Sequence, residues 1–498
     1  DGEVLGFSFV YSGNFLAQVE VDTYNVTRVM MGIHPHCFSW ELENNESFQT
    51  PEVVMVYSDK GLNAMSQTYH QIYQKRLARG LYRDQVRPIL VNNWEGTYFD
   101  FDEEKIMKIA TTAKKLGIEL FVLDDGWFGK RNDDKAGLGD WYPNLEKLPN
   151  GISGLGKKIT DLKMKFGLWF EPEMVNKDSE LYRKHPEWTL ETPNRNSCHG
   201  RNQYVLDFSN PEVVDYVYEM MAKVIEEGKI SYIKWDMNRC MSEVYSCVHS
   251  PSSQGKVMHE YILGVYRLYE KLISRFPEVL FESCASGGAR FDPGMMYYAP
   301  QCWTSDDTDA IERLKIQYGT SYVYPISSMG AHVSAIPNHQ VFRNAPIETR
   351  ANVAYFGTFG YELDLNKLSQ EEQDKIIEQV KFMKEYREVI QFGTFYRLKS
   401  PFEGNETVWM VVSNDLNTAI VGYYRPLQEV NQGFRRIKLL GLDPDKEYHV
   451  SINETDHYGD ELMNLGLITS DSSCGENREI YNGINGDYLS RLYIIKAK

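Results

Sequence analysis

Ile89-Leu-Val-Asn-Asn-Trp94 is followed by an amphipathic run over Glu103–Lys115 and then by Leu120-Phe-Val-Leu-Asp-Asp-Gly-Trp127. Each outer segment is a short apolar run that ends in polar residues, and the middle one repeats its apolar residues at helical spacing. A strand, a helix and a second strand in that order build a parallel sheet. The same succession continues through Phe166–Glu171, Tyr232–Asp236, Val279–Ser283, Gln301–Asp306, Tyr322–Ser327 and Val353–Phe359, with helical segments such as Glu212–Glu227 between. Eight such units over roughly 300 residues predict a (β/α)8 barrel enlarged by insertions.

The flanks read differently. Before residue 60, stretches such as Leu16-Ala-Gln-Val-Glu-Val-Asp22 alternate apolar and polar residues, as half-buried antiparallel strands do. Alternation returns near Pro401, in Val408-Trp-Met-Val-Val412, Thr418–Tyr424 and Tyr488–Ile495. The expected division is therefore 1–80, the end of an N-terminal β-sandwich with a linker helix over Leu62–Ala78; 81–400, the barrel; and 401–498, an antiparallel β-domain.

The 498 residues are 42% hydrophobic and 25% charged, with a formal net charge of −17. That balance argues against a nucleic-acid or anionic-membrane partner, since both call for clustered Lys and Arg. No apolar run reaches the roughly 18 residues of a membrane span, so a soluble, cytoplasmic protein is expected. The seven Cys (37, 198, 240, 247, 284, 302, 474) form no C-x-x-C pair, and reduced thiols are expected. The sequons Asn25-Val-Thr and Asn405-Glu-Thr carry no weight for secretion. Thirty-three Tyr and 9 Trp supply flat rings with polar edges, a surface suited to sugars.

A barrel carries its chemistry at the C-terminal ends of its strands. Six of the eight predicted strands end in carboxylate, amide or Trp residues: Asn92-Asn-Trp-Glu95, Asp124-Asp-Gly-Trp127, Trp169-Phe-Glu-Pro-Glu173, Lys234-Trp-Asp-Met-Asn-Arg239, Glu282-Ser-Cys-Ala-Ser-Gly-Gly288 and Trp303-Thr-Ser-Asp-Asp-Thr-Asp309. Packing alone does not demand this. Asp124-Asp-Gly-Trp127 reads either as a helix cap and tight turn or as paired acceptors for sugar hydroxyls, with Trp94, Trp127 or Trp169 stacking on the ring face. In a strand Lys234 and Asp236 point the same way, so the ammonium is expected to hold Asp236 ionised, unless the two form a structural salt bridge. Asp306, Asp307 and Asp309 each suit either an active-site acid or the cap of the helix that follows. Two carboxylates from different strands facing one pocket are what glycoside cleavage needs. The His residues lack ligand spacing and no Gly-rich phosphate cradle follows a strand, so no metal and no cofactor are expected.

The segments Phe121-Val-Leu-Asp-Asp-Gly-Trp-Phe, Tyr232-Ile-Lys-Trp-Asp-Met-Asn-Arg and Cys302-Trp-Thr-Ser-Asp-Asp-Thr-Asp resemble glycoside hydrolase family 36, the bacterial-type α-galactosidases. The likeness extends over the whole chain, through Gly200-Arg-Asn-Gln-Tyr-Val-Leu-Asp-Phe and Glu282-Ser-Cys-Ala-Ser-Gly-Gly. It implies Asp236 as nucleophile and Asp306 as general acid/base of a retaining enzyme. It further implies Asp124, Asp125, Trp169, Arg201, Lys234, Asn238, Cys284 and Gly287 as galactosyl contacts, with Trp94 near the site. The Asp pair would grip the 4- and 6-hydroxyls, and Cys284 with Gly287 would border the 2-position. Members of this type usually carry a larger N-terminal β-sandwich and often assemble as homotetramers, so a homo-oligomer is expected of the complete protein. Rival readings are α-N-acetylgalactosaminidase activity, raffinose-type galactosyl transfer and a non-catalytic galactoside-binding protein.

Overall fold

The computed structural model describes residues 2–430, 435–469 and 486–498; Cys474 lies outside them. Eight parallel strands close into a barrel in sequence order: β1 Leu90–Asn92, β2 Leu120–Leu123, β3 Lys165–Phe170, β4 Tyr232–Trp235, β5 Leu280–Ser283, β6 Gln301–Trp303, β7 Met329–Ser334 and β8 Thr358–Glu362. All four residues of β2, Leu-Phe-Val-Leu, are buried, because barrel interior covers one face and helices the other. The helices carry the matching stripes. Glu103–Lys115 is capped by Asp102, whose side chain accepts from the Lys105 amide, and buries Ile106, Ile109, Ala110 and Ala113.

Two predicted strands are displaced. Tyr322–Ser327 is a turn followed by a 3-10 helix, Ile326–Ser328, and the seventh strand begins only at Met329. Pro325 has no N–H to give a ladder, which breaks the β-branched run where it looked strongest. Val353–Phe359 likewise overlaps the helix Ile347–Ala354, which starts behind Pro346, and the eighth strand is Thr358–Glu362.

At the N-terminus Val4–Val10 pairs antiparallel with Glu52–Ser58, and Phe15–Val21 with Thr27–Ile33. After the barrel a six-stranded antiparallel sheet runs in the order 394–399, 407–412, 418–425, 489–497, 447–450, 455–458. It starts at Thr394, before the expected boundary at 401. Its strand Thr407–Val412 is buried on both faces. Trp409 and Val411 join the core of the barrel, while Val408, Met410 and Val412 face a separate core under the sheet. The period-two alternation sorts one strand between two cores.

Among the described residues no helix is long and apolar enough to cross a membrane. The six described cysteines are unpaired.

Candidate active site

Adjacent strands β3, β4 and β5 are in register at Trp169, Lys234 and Glu282, which sets these side chains at one level of the barrel mouth. Above them opens a polar cavity of about 90 Å³. Trp94, Asp124, Asp125, Trp169, Arg201, Lys234, Asp236, Asn238 and Asp306, all singled out from the sequence, line it together. So do Glu95, Trp303, Thr308, His339, Gln340 and Glu362, which the sequence reading did not single out as site residues.

Asp236 follows β4 directly, its amide still bonded to the Phe170 carbonyl at 2.8 Å, so the strand ladder carries through to this residue. Four N–H groups converge on its two oxygens. The Met237 amide (2.8 Å) and the Ser286 amide (3.3 Å) reach Oδ1, and Trp169 Nε1 (3.1 Å) and Asn238 Nδ2 (2.8 Å) reach Oδ2. Asn238 is itself oriented, because Ser286 Oγ donates to its Oδ1 at 2.9 Å. None of the four groups accepts a proton, so the site is shaped for a carboxylate.

Lys234 forms its ion pair with Asp124 rather than with Asp236, although the charge of Asp236 still acts on the ammonium. Its Nζ lies 2.9 Å from Asp124 Oδ2, with both side chains buried. Period two sets the facing direction of a side chain, but the longer lysine reaches across the barrel to β2. Burial opposes the ammonium charge, yet Asp124 and then Glu362 hold Lys234 well above the usual lysine range. Asp125 accepts two bonds from Arg131, Nε to Oδ1 at 2.9 Å and Nη2 to Oδ2 at 2.8 Å, and that guanidinium is fully buried. Such a fork fixes the carboxylate plane and leaves further lone pairs for a ligand.

The run Ser305-Asp-Asp-Thr-Asp309 is resolved by its bonding. Asp309 caps the helix Ala310–Thr320, its Oδ1 accepting from the Ile311 and Glu312 amides at 3.0 Å. Asp307 closes a turn by accepting the Asp309 amide at 3.0 Å. Of the three, Asp306 alone lines the cavity, bonded through Oδ1 to Trp303 Nε1 at 3.1 Å. Burial first and the neighbouring Asp236 second push its carboxyl up to about 6, against the pull of Lys234.

Cys284 and Gly287 stand outside the lining residues. Cys284 is 2% exposed, with the Gly287 amide 3.4 Å from its sulfur. Gly287 has φ +86, and a Cβ there would sit 2.7 Å from the Asp306 amide nitrogen. The glycine thus lets its loop lie against the Asp306 backbone. Trp127 is no platform either: it is fully buried among Phe128, Trp141 and Phe170, and its Nε1 donates to the Trp169 carbonyl.

More carboxylates ring the site. Glu171 is pushed up to about 8 by burial and by Asp236. Glu362 is held below the usual carboxylate range despite burial, chiefly because His332 Nδ1 donates to it at 3.0 Å. Glu362 ends β8, and a strand set five residues too early hid it. Glu95 stood in a quoted strand end, whereas His339 and Gln340 lie in a loop without local pattern. Among the described residues no cluster of three His, Cys, Asp or Glu is placed to hold a metal ion.

Comparison with known proteins agrees with this geometry. The Melibiase family model matches residues 47–393, and the glycosyl hydrolase family 36 N-terminal and C-terminal domain models match 1–43 and 406–495. The chain is 59% identical to α-galactosidase AgaA of Geobacillus stearothermophilus over 496 residues, covering 100% of this chain and 66% of that protein. It is 48% identical to α-galactosidase Mel36A of Lactobacillus acidophilus, again covering 100% of this chain and 66% of the relative. It therefore spans about two thirds of the length of these curated relatives. The crystal structure of AgaA superposes with a TM-score of 0.96 at 57% identity, covering 100% of this chain and 67% of the other. A variant of AgaA solved with raffinose gives the same TM-score at 56% identity. With a family model covering more than half of its residues and a barrel that superposes on solved members, the chain belongs to glycosyl hydrolase family 36.

Proposed function

We propose that this chain carries the catalytic centre of a retaining α-galactosidase, with Asp236 as nucleophile and Asp306 as general acid/base. The observation that carries the reading is the contrast within one polar cavity. Asp236 is met by four N–H donors, while Asp306, pushed up to about 6, keeps its proton into the mildly acidic range where an ordinary carboxyl has lost it. The curated relatives named above are α-galactosidases, and one solved relative holds raffinose, which supports a galactoside as substrate.

In the first step an Asp236 oxygen attacks the anomeric carbon while Asp306 gives its proton to the departing oxygen, leaving a covalent β-galactosyl-enzyme. Forming the ester removes the Asp236 charge, one of the causes that keep Asp306 protonated. Asp306 becomes more acidic at the moment it must act as base on the incoming water. Attack of that water restores the α-configuration. Asp124, locked to Lys234, and Asp125, locked to Arg131, are placed to accept hydroxyl hydrogens of the galactosyl unit, including its axial 4-hydroxyl. We assign Trp94, Trp169, Arg201 and Asn238 to the same pocket wall, and Cys284 and Gly287 to its backing behind the 2-position.

The test is hydrolysis of melibiose, raffinose, an aryl α-galactoside and its 2-acetamido counterpart, followed by proton NMR. The expected first product from the galactosides is α-galactose, and early β-galactose refutes retention. Preference for the 2-acetamido substrate refutes the sugar assignment.

A further inference from the structure

Glu95 and His339 share the cavity with the two catalytic carboxylates, yet the double displacement uses neither. Glu95 follows β1 and its side chain is 2% exposed; His339 lies in the loop after β7 with its side chain 31% exposed, at the mouth. The imidazole Nδ1 stands 3.2 Å from Glu95 Oε1. That oxygen also accepts from Thr308 Oγ1 at 2.6 Å, and Asn338 Nδ2 donates to the same hydroxyl at 3.0 Å. The adjoining Gln340 donates through Nε2 to the Asp306 carbonyl at 3.0 Å. The ring is thereby aimed by a buried carboxylate, tied to the segment that bears the acid/base, and still in reach of solvent.

This arrangement sets what the ring meets. A carboxylate at Nδ1 makes that nitrogen the N–H donor to Glu95 and leaves Nε2 as the ring's remaining polar atom. The hydrogen bond that the ring donates to Glu95 raises the imidazole above its ordinary range, which favours an N–H on Nε2 as well. The glycosidic oxygen must lie beside Asp306 to take its proton, and the sugar beyond that oxygen departs through the mouth. His339 shares the cavity lining with Asp306 and is 31% exposed, so a donor on its ring is better placed for the leaving group than for the buried galactosyl ring.

We propose that His339, braced by Glu95, is a specificity-determining contact to a hydroxyl of the leaving sugar, so that the site favours galactosides with sugar leaving groups over aryl galactosides. The inference rests on the galactosidase reading above. It is tested in the full chain with His339→Ala, His339→Gln and Glu95→Gln on melibiose and raffinose against a series of aryl α-galactosides of graded leaving-group acidity. His339→Ala is expected to lower the kcat/KM ratio of melibiose to nitrophenyl galactoside about ten-fold, the scale of one hydrogen bond to a charged donor, with the change in KM. His339→Gln, which keeps a donor, restores part of it. Glu95→Gln shifts the ratio in the same direction, and the double variant is no worse than the worse single one.

Equal losses on both substrate classes make the pair a structural wall and overturn the proposal, as does an unchanged ratio. A steeper dependence of kcat on leaving-group acidity in His339→Ala also overturns it, because that places the histidine in tuning Asp306. If His339→Ala does not fold, the other two variants decide by the same ratio. Hydrolysis of none of these substrates by the unaltered chain removes the galactosidase reading and this inference together, whereas hydrolysis with an unmoved ratio removes this inference alone.

Discussion

The two sides of the cavity hold the same side chain in opposite conditions. On the β4 side, Asp236 receives two backbone amides, an indole and a carboxamide. On the β6 side, Asp306 receives one indole N–H and sits under burial and the charge of Asp236. The first environment stabilises an anion and the second stabilises a proton on the same functional group. The proposed division of labour between nucleophile and acid thus rests on donors and neighbours rather than on residue type.

The strongest way to break the comparison is to remove each carboxylate in turn. Asp236→Ala takes away the attacking atom and is expected to cost on the order of 10⁴- to 10⁶-fold in kcat on every substrate. Asp306→Ala is expected to lose about 10²- to 10⁴-fold on melibiose, where a poorly acidic alcohol must leave, and far less on a nitrophenyl galactoside. Azide added to Asp306→Ala should yield α-galactosyl azide, because azide needs no base. Equal loss on both substrates with no azide product would move the acid/base to another residue.

Next in size is the pair beneath them. Lys234→Met strands the buried Asp124 and should lower stability by about 3–5 kcal/mol in urea titrations. Lys234 also pulls the Asp306 carboxyl down. The alkaline limb of kcat/KM reports loss of the Asp306 proton, near about 6 in the unaltered chain, and in Lys234→Met that limb should move to higher pH. A limb that stays in place separates the lysine from the acid.

A further test, read only in the pH dependence of stability, concerns Glu171, which accepts from the Asn238 amide and from Gln203 Nε2 at 2.7 Å. Its folded-state value, about 8, lies above the ordinary 4.5, so the folded protein holds this proton more tightly than the unfolded chain between those limits. Stability from this group is present below pH 4.5 and falls as pH rises toward 8. Glu171→Gln should flatten that part of the decline, seen as a smaller drop in Tm between pH 5 and pH 8. An unchanged slope would show that the carboxyl titrates normally.

The amino-acid pattern by itself determined the parallel barrel, because runs such as Leu120-Phe-Val-Leu123 alternate with helical stripes, and period is a local property. It also marked strand ends whose residues line the cavity, such as Asp124, Lys234 and Asp306, since polar residues after a buried strand stand out against their own neighbourhood. Where Pro325 cuts an apolar run and the helix behind Pro346 extends into another, local pattern misplaced strands seven and eight, and Glu362 was lost with them. Only tertiary structure decided the partners. Lys234 reaches Asp124 across the barrel, Asp309 caps a helix while Asp306 faces the cavity, and Trp127 is core while Trp169 bonds Asp236. Lys234 and Asp124 are 110 residues apart in the chain, and Trp169 and Asp236 are 67 apart. Sequence spacing says which way a side chain leaves its own strand; what it meets there is set by the strands and loops that close around it.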